Sequence, residues 1–558
     1  MNDREQTVEL IRNTNTVIRQ QQLGAATSQI QYVSKGHCLV IGEPAQALEL
    51  ATSLSATGLT IVHVDETANK TEKRLTDAGV AVFTVPALSL SGYLGAFSAI
   101  AESPDNDPQK KLDLGVSVYL ESGLFDLVLD LSAEAVLPMR LAPFGYIHAR
   151  DHEHAEAAVE ELSGMVGEFE KPRYFNYNES ICAHSRSELN GCQRCLDVCT
   201  TGAIVSSGEG VTIDPFLCQG CGSCATVCPS GAMSYAYPRP SDAIERTRRS
   251  LEDNEADTIL LHTEAHQSVV DAASLDATVL PLLVEEVSAF GADYWLSMLA
   301  GRAWRIFVVT DASADDPNRL ALEGQIEWVH QLLAGLAIDE QPVRLISSAD
   351  LSSADLAEKI QPADKINSKL AQLPVQDFAT HDDKRQTIRL ALDALSENLE
   401  PLTQSSNLPP GAPFGRINVD TTACTLCMAC VSTCPAKALL DGQDTPALRL
   451  VEANCLQCGL CEKACPESAI SLESRYTWDS LTARRIETLH DEKPFHCIVC
   501  HTAFTTQAMI DTMTEKLAGH WMFQDEKAVR RLRLCGDCRV RDMFEEDSSG
   551  IDVHKQNS

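Results

Sequence analysis

A chain of 558 residues with 44% hydrophobic content and a formal charge of −34 has room for roughly three to five domains with buried cores. Its acidity excludes nucleic acid or an anionic membrane surface as the expected partner. Twenty-one cysteines in a chain whose start, MNDREQTVEL, has no secretory h-region point to bound metal rather than disulfides. No run of about 18 uncharged apolar residues occurs, because residues 279–299 are broken by Glu285, Glu286 and Asp293. A soluble, cytoplasmic protein is expected.

Residues 1–35 are polar and Gln-rich, and no function is assigned to them. The stretch 36–170 reads as a Rossmann-like α/β domain. Cys38–Ile41 is an apolar strand, a helix follows to Ala56, and a second strand, Leu59–Val64, ends at Asp65. Its phosphate fingerprint is broken, because Pro44 stands where a second glycine would let a pyrophosphate approach the backbone. Val80–Val85 and Asp126–Leu131 read as further buried strands, and the lone Cys38 as a core residue.

Residues 171–240 hold the first cysteine cluster. Cys218, Cys221, Cys224 and Cys228 form C-x2-C-x2-C-x3-C followed by Pro229. Cys192, Cys195 and Cys199 supply three members of a second such half-site, with Thr200 in place of the proline. Cys182 stands upstream across a nine-residue spacer as the candidate first ligand. The alternatives are an idle thiol over a three-iron cluster, or His184 as the ligand. His184 and Arg186 otherwise sit near a cluster sulfur, tuning its potential, or simply in an exposed loop.

A second α/β domain spans 241–406. Strands are expected at 257–261, 278–282, 305–309 and 342–346, with helices near 287–300 and 317–336 between them, and the alternation predicts a small parallel sheet. Glu264, His266, Asp311 and Asp316 read as solvated loop residues.

Residues 407–475 carry the strongest signal. Cys424, Cys427, Cys430 and Cys434 precede Pro435, and Cys455, Cys458, Cys461 and Cys465 precede Pro466, both in C-x2-C-x2-C-x3-C spacing. Such spacing gives three thiolates to one cubane and the fourth to its neighbour. One [4Fe-4S] cluster would take Cys424, Cys427, Cys430 and Cys465, and the other Cys455, Cys458, Cys461 and Cys434. In the first unit the same rule groups Cys182, Cys192, Cys195 and Cys228, and then Cys218, Cys221, Cys224 and Cys199. Leu426, Val431, Leu456, Leu460, Phe216 and Val227 are expected to pack against the clusters. The unit at 415–474 resembles the bacterial two-cluster ferredoxin.

The tail, 476–558, has a zinc-knuckle-like pattern. Cys497, Cys500, Cys535 and Cys538 form two C-x2-C knuckles separated by 34 residues, with a helix carrying Ile510, Met513 and Leu517 between them. Structural Zn²⁺ is expected there; another iron centre and a redox dithiol pair are the alternatives. His496 and His501 flank the first knuckle. Arg530, Arg531, Arg533, Arg539 and Arg541 make either a docking surface or a charge-balancing face.

The whole arrangement resembles the multicluster ferredoxin-like proteins found beside proteobacterial formate dehydrogenases. The residues that carry this are Cys182-Ala-His-Ser-Arg-Ser, the two dicluster units, Lys516-Leu-Ala-Gly-His520 and Leu534-Cys-Gly-Asp-Cys-Arg-Val540. The resemblance implies an electron-transfer or accessory protein with four [4Fe-4S] clusters, serving a redox partner of the formate dehydrogenase type. Two other classes stay open: a flavin- or nicotinamide-linked oxidoreductase subunit, and a maturation or scaffold factor with redox-sensing clusters.

Overall fold

The computed structural model describes residues 28–549 except 52–57, 69, 103–110, 274, 353–367, 377, 380, 444, 518–519, 521–522 and 524. The Gln-rich start to residue 27, the end of the expected helix at Ala56, and Ala518 and Gly519 lie outside the described residues.

The first region is built on β1 (Gln29–Ser34), β2 (His37–Ile41), α1 (Pro44–Ala51), β3 (Gly58–Val64), β4 (Glu72–Leu75), β5 (Ala81–Val85), β6 (Leu127–Asp130), β7 (Tyr146–His148), α2 (His152–Ser163) and β8 (Gly167–Pro172). Six strands form one sheet in the order β7-β6-β2-β3-β5-β4, parallel except for the β4 edge. Every residue of β6 and the last four of β2 are buried, as continuous apolar runs must be in a parallel sheet covered on both faces. Cys38 is fully buried among them. β1 pairs antiparallel with β8, so this region begins before the boundary expected at 36.

The end of β2, where the strand order reverses, is the place where a nucleotide would sit. Here Gly42 lies so close to Leu131 that an added Cβ would stand 2.9 Å from the Leu131 Cβ. Nearby acids are also occupied by the chain. Asp65 accepts from the Thr67 amide and hydroxyl at 2.9 and 2.6 Å. Buried Asp130 accepts from Ser132, the Val136 amide and the Tyr146 hydroxyl.

The first cysteine-rich unit follows as β9 (Phe175–Tyr177), β10 (Ile204–Ser207), β11 (Gly210–Ile213), α3 (Ser223–Val227) and β12 (Met233–Tyr235), paired β9 with β12 and β10 with β11. Its Cys218 loop is anchored on the first region. Tyr32 donates to the Phe216 carbonyl at 2.6 Å, and Lys171 donates to the Phe216 and Cys218 carbonyls at 2.9 and 2.6 Å.

The middle region contains α4 (Pro240–Asp253), β13 (Thr258–His262), β14 (Val279–Leu283), α5 (Ala292–Ala300), β15 (Arg305–Val309), α6 (Pro317–Gly335), β16 (Val343–Ile346) and α7 (Lys384–Asn398). The sheet is parallel in the order β14-β13-β15-β16. Its largest buried side chains are Trp295 and Trp304, and the Trp304 indole donates to Asp257 at 3.0 Å. Helix α7 is capped by Asp383, which accepts from the Gln386 amide, and it buries Ile388, Leu392 and Leu395. Those three side chains stabilise the helix by on the order of 6 kcal/mol in total. Asp316 caps α6 by accepting from the Asn318 and Arg319 amides, and Asp311 accepts from the Ser348 amide, so both have local structural partners.

The second cysteine-rich unit comprises β17 (Ser405–Asn407), β18 (Gly415–Val419), α8 (Ala429–Thr433), β19 (Leu439–Asp441), β20 (Ala447–Val451), α9 (Leu460–Ala464) and β21 (Ile470–Thr477). One sheet is β17-β21-β18; the other, β19-β20, is completed by β22 (Ile486–Asp491). The sheets of this unit therefore run past the expected limit at 475. Beyond them lie β23 (Pro494–His496), β24 (Ala503–Thr506), α10 (Gln507–Leu517), α11 (Glu526–Arg531) and α12 (Gly536–Ser549). Among the described residues no helix is long and apolar enough to cross a membrane.

Candidate metal centres

In the second unit the spacing becomes geometry through backbone handedness. Leu426 and Met428 flank Cys427 with φ of 55° and 60°, and Gln457 and Gly459 flank Cys458 with φ of 54° and 79°. A left-handed residue on each side of the middle cysteine curls the chain so that successive thiols turn to one side and N–H groups point inward. Each curl then enters a short helix, α8 or α9, which carries the third cysteine.

One cavity is consequently lined by Cys424, Cys427, Cys430 and Cys465 together with Leu426 and Ile470. A second is lined by Cys434, Cys455, Cys458 and Cys461 with Leu456, Leu460 and Leu472. Val431 packs beside the first quartet, in the core that holds Cys430 and Cys455. Burial pushes the Cys430 thiol up to about 12, reinforced by Cys427, Cys424 and Cys465. Burial also raises Cys461, with Cys455, Cys458 and Cys434 adding to it. Four free thiolates are costly in such company, so the set suits a bound cation that would compensate them.

The sulfurs also meet donors. The Ala438 amide donates to Cys434 Sγ and the Ala469 amide to Cys465 Sγ, both at 3.3 Å, and the Gln457 side chain donates to Cys455 Sγ at 3.3 Å. In the first unit the Met233 amide donates to Cys228 Sγ at 3.4 Å. Hydrogen bonds of this kind favour the more negative state of a bound centre and raise its potential.

Half of the first unit follows the same pattern. Gly220 and Gly222 flank Cys221 at φ of 85° and 79°. Burial pushes Cys221 up to about 11, and Cys218 and Cys199 contribute to the shift. The other half is built differently. Residues 185–186 pair antiparallel with 189–190, and Ser187 and Glu188 turn the chain with φ of 51° and 66°. Two positive φ values in a two-residue turn match the twist of a hairpin. The ladder continues from the Gly191 amide to the His184 carbonyl at 2.7 Å and from the Cys192 amide to the Ala183 carbonyl at 2.8 Å.

This hairpin absorbs the long spacer and returns Cys192 to the residue beside Cys182. Burial pushes Cys195 up to about 12, and after burial the contributors are Cys228, Cys192 and Cys182. Cys182 thus stands with Cys192, Cys195 and Cys228. His184 is buried, but its ring nitrogens face the Cys192 carbonyl at 3.0 Å and the Ser206 hydroxyl at 2.8 Å. It braces the hairpin and has no nitrogen left for a metal. Arg186 turns to the Ser180 carbonyl at 3.2 Å and to Glu209 at 3.9 Å.

Phe216 does not pack as the sequence suggests. It stacks on Tyr93, with ring centroids 4.4 Å apart, in the core of the first region. Val227 lines a cavity on the side of Lys384 and Trp328. Tyr177 was not legible as a site residue; burial and then Cys182 push its hydroxyl well up, and the Val211 amide donates to it at 3.1 Å.

The tail cysteines are set much closer together. The Sγ atoms of Cys497, Cys500, Cys535 and Cys538 all lie within 4.8 Å of one another, a grouping unique among the described residues. Cys500 and Cys535 are 3.5 Å apart. Burial opposes the Cys497 thiolate, but the Cys500, Cys535 and Val499 amides pull its pKa down to about 6. His496 bonds the His501 carbonyl at 2.9 Å rather than joining the quartet. Arg530 and Arg531 both pair with Asp542, at 3.2 and 2.7 Å, so this part of the basic run balances local charge. Lys516 pairs with Glu467 at 2.7 Å and ties the tail to the second unit.

Comparison with known proteins bears on the two cysteine-rich units. Residues 188–232 and residues 420–470 each match a 4Fe-4S dicluster domain family. A stretch of 72 residues, 12% of the chain, is 36% identical to hydrogenase-4 component A of Escherichia coli (strain K12). That stretch spans 35% of the relative's length. The chain therefore carries two 4Fe-4S dicluster ferredoxin-type domains, one in each cysteine-rich unit.

Proposed function

We propose that this chain is an electron carrier with four [4Fe-4S] clusters and one structural Zn²⁺. The observation that carries this reading is the gathering of the cysteines into four quartets, each drawn from two half-sites. Cys424, Cys427, Cys430 and Cys465 hold one cluster, and Cys434, Cys455, Cys458 and Cys461 the next. Cys182, Cys192, Cys195 and Cys228 hold a third, and Cys199, Cys218, Cys221 and Cys224 the fourth. When bound, each cubane supplies a one-electron couple. The chain's own contribution is to fix four thiolates, donate N–H groups to their sulfurs and exclude water with Leu426, Leu456 and Leu460.

Zinc is proposed for Cys497, Cys500, Cys535 and Cys538 because of their spacing. Tetrahedral Zn–S bonds of ~2.3 Å put sulfurs about 3.8 Å apart, which suits a set within 4.8 Å. A cubane bonds its thiolates to separate irons and needs a wider cage.

The regions 36–170 and 241–406 serve as α/β scaffolds, the first Rossmann-like. Leu131 packed at Gly42 weighs against a flavin or nicotinamide there. The redox partner proposed is an oxidoreductase of the formate dehydrogenase or hydrogenase kind, and the working compartment the cytoplasm.

Anaerobically purified protein should contain about 16 iron, about 16 sulfide and about one zinc per chain. Cys535→Ser should lose the zinc and loosen residues 490–545 while the iron stays, since closed zinc sites contribute folding energy and no electrons. Iron reaching a plateau near half that value contradicts the four-cluster reading. Loss of an iron signal in Cys535→Ser makes the tail a fifth cluster.

A further inference from the structure

The two dicluster units are far apart in sequence, yet the chain presses the edge of one against the edge of the other. Lys463, in α9, donates to the Asn190 carbonyl at 2.6 Å. Gly191 lies against Leu460, where an added Cβ would stand 2.8 Å from the Leu460 Cγ. Asn190 and Gly191 lead directly into Cys192, and Leu460 sits between Cys458 and Cys461. The quartet containing Cys192 therefore faces the quartet containing Cys458.

A third element holds both sides. Lys384 and Arg385 are the first two residues of α7. Lys384 donates to the Ala225, Thr226 and Cys228 carbonyls of the first unit. Arg385 donates to the Pro229 carbonyl at 3.2 Å, the Pro413 carbonyl at 2.6 Å, and the Ala453 and Cys455 carbonyls at 3.1 and 3.0 Å. One rigid guanidinium fork thus spans both units, which a lysine cannot do. Arg389, one turn on, donates to the Ala453 carbonyl at 2.8 Å, and both guanidiniums lie over the Phe414 ring.

The placement breaks a local rule. Cations in the first turn of a helix oppose its dipole, and the acceptors these two meet are neutral carbonyls. A breach of this kind is expected where function compensates it. Asp293 beside Lys384 and Asp383 beside Arg385 supply part of the compensation, and a cubane with four thiolates bound on each side of the pair would supply the rest, with a negative charge that grows on reduction.

We propose that Lys384 and Arg385 are positioning residues that lock the quartet Cys182, Cys192, Cys195 and Cys228 against the quartet Cys434, Cys455, Cys458 and Cys461, making the two dicluster units one relay. The order along the relay is the Cys218 quartet, the Cys192 quartet, the Cys458 quartet and the Cys424 quartet. A transfer across the junction moves one electron, oxidising the inner centre of one unit and reducing that of the other, with no atom transferred. This inference rests on the four-cluster reading above.

The test uses the full chain, with iron content, redox titration followed by paramagnetic resonance, and spin coupling in the reduced protein. In the unaltered protein the reduced centres should couple as one chain, the inner two each having two neighbours. Two isolated coupled pairs would overturn the proposal without any variant. Arg385→Met and Lys384→Met should retain iron, move two of the four midpoints to more negative values, and weaken the coupling between units. Arg385→Lys should restore the midpoints but not the full coupling. Unchanged midpoints, or an equal shift of all four, with iron retained, contradict the assignment. An unaltered protein with only two centres contradicts the four-cluster reading instead.

Discussion

Three of the four half-sites bring their thiols together by backbone handedness, and one does so by a hairpin. At Cys427, Cys458 and Cys221 a left-handed residue stands on each side of the cysteine. At Cys192 the following residue, Gln193, has φ of −119°, and the left-handed pair has moved out to Ser187 and Glu188 at the hairpin tip. Both routes deliver a quartet. The lesson is that a cluster site constrains where sulfurs end, while the chain between them is free to change if its hydrogen bonds are satisfied. In the hairpin route that satisfaction comes from the Ala183 and His184 carbonyls and the two-sided brace of His184.

The largest way to break this comparison is Cys182→Ala. If the hairpin returns Cys192 to a true ligand at Cys182, one corner of that cubane loses its thiolate and its iron becomes labile. Oxidised protein should then show a new three-iron paramagnetic signal with the other three clusters intact. His184→Ala should loosen the hairpin without producing that signal; the opposite pattern would transfer the ligand role to histidine.

A smaller effect separates two of the handed half-sites. Gly459→Ala meets nothing nearer than Leu472, at 4.0 Å, so it pays only the left-handed backbone term, about 1–2 kcal/mol. Gly222→Ala also drives a Cβ to 2.5 Å from the Ala289 Cβ, raising the loss to about 3 kcal/mol. Thermal bleaching of cluster absorbance should rank them in that order. Equal losses would mean that the α3 contact with the middle region is soft.

The smallest effect runs the other way. Glu188→Gly relieves a left-handed non-glycine residue, φ 66°, of about 1 kcal/mol, partly offset by the greater entropy glycine loses on folding. A net gain of about 0.5 kcal/mol is expected, visible as slower bleaching. A loss would show that the Glu188 side chain contributes to the turn.

Much of this was readable from residues. The apolar runs at 38–41, 127–130, 258–262 and 305–309 were legible as strands because they are short, rich in Val, Ile and Leu, and fully buried as a sheet covered on both faces requires. The regular half-sites announce themselves by spacing, and the dicluster families match there. The hairpin did not, because Ser187 and Glu188 occupy positions where glycine or asparagine usually marks such a turn. Lys384 and Arg385 were invisible for another reason: Cys228 is 156 residues from Lys384, and only the tertiary fold joins them. Phe216 was misplaced because adjacency to Cys218 suggested the cluster, whereas Tyr93 and Tyr32 offer its ring a larger aromatic partner surface. The strand at 486–491 was missed because its burial is mostly one of exposed and half-exposed residues, a pattern that reads as loop.

The central claim, that four quartets built by two backbone routes each hold a cubane, is tested most directly by diffraction from anaerobic crystals on either side of the iron absorption edge. Four iron peaks are predicted, one inside each quartet, including one bounded by Cys182, Cys192, Cys195 and Cys228, with none at Cys497, Cys500, Cys535 and Cys538. A missing peak at the Cys182 quartet, or a peak there bonded to His184, would contradict the account.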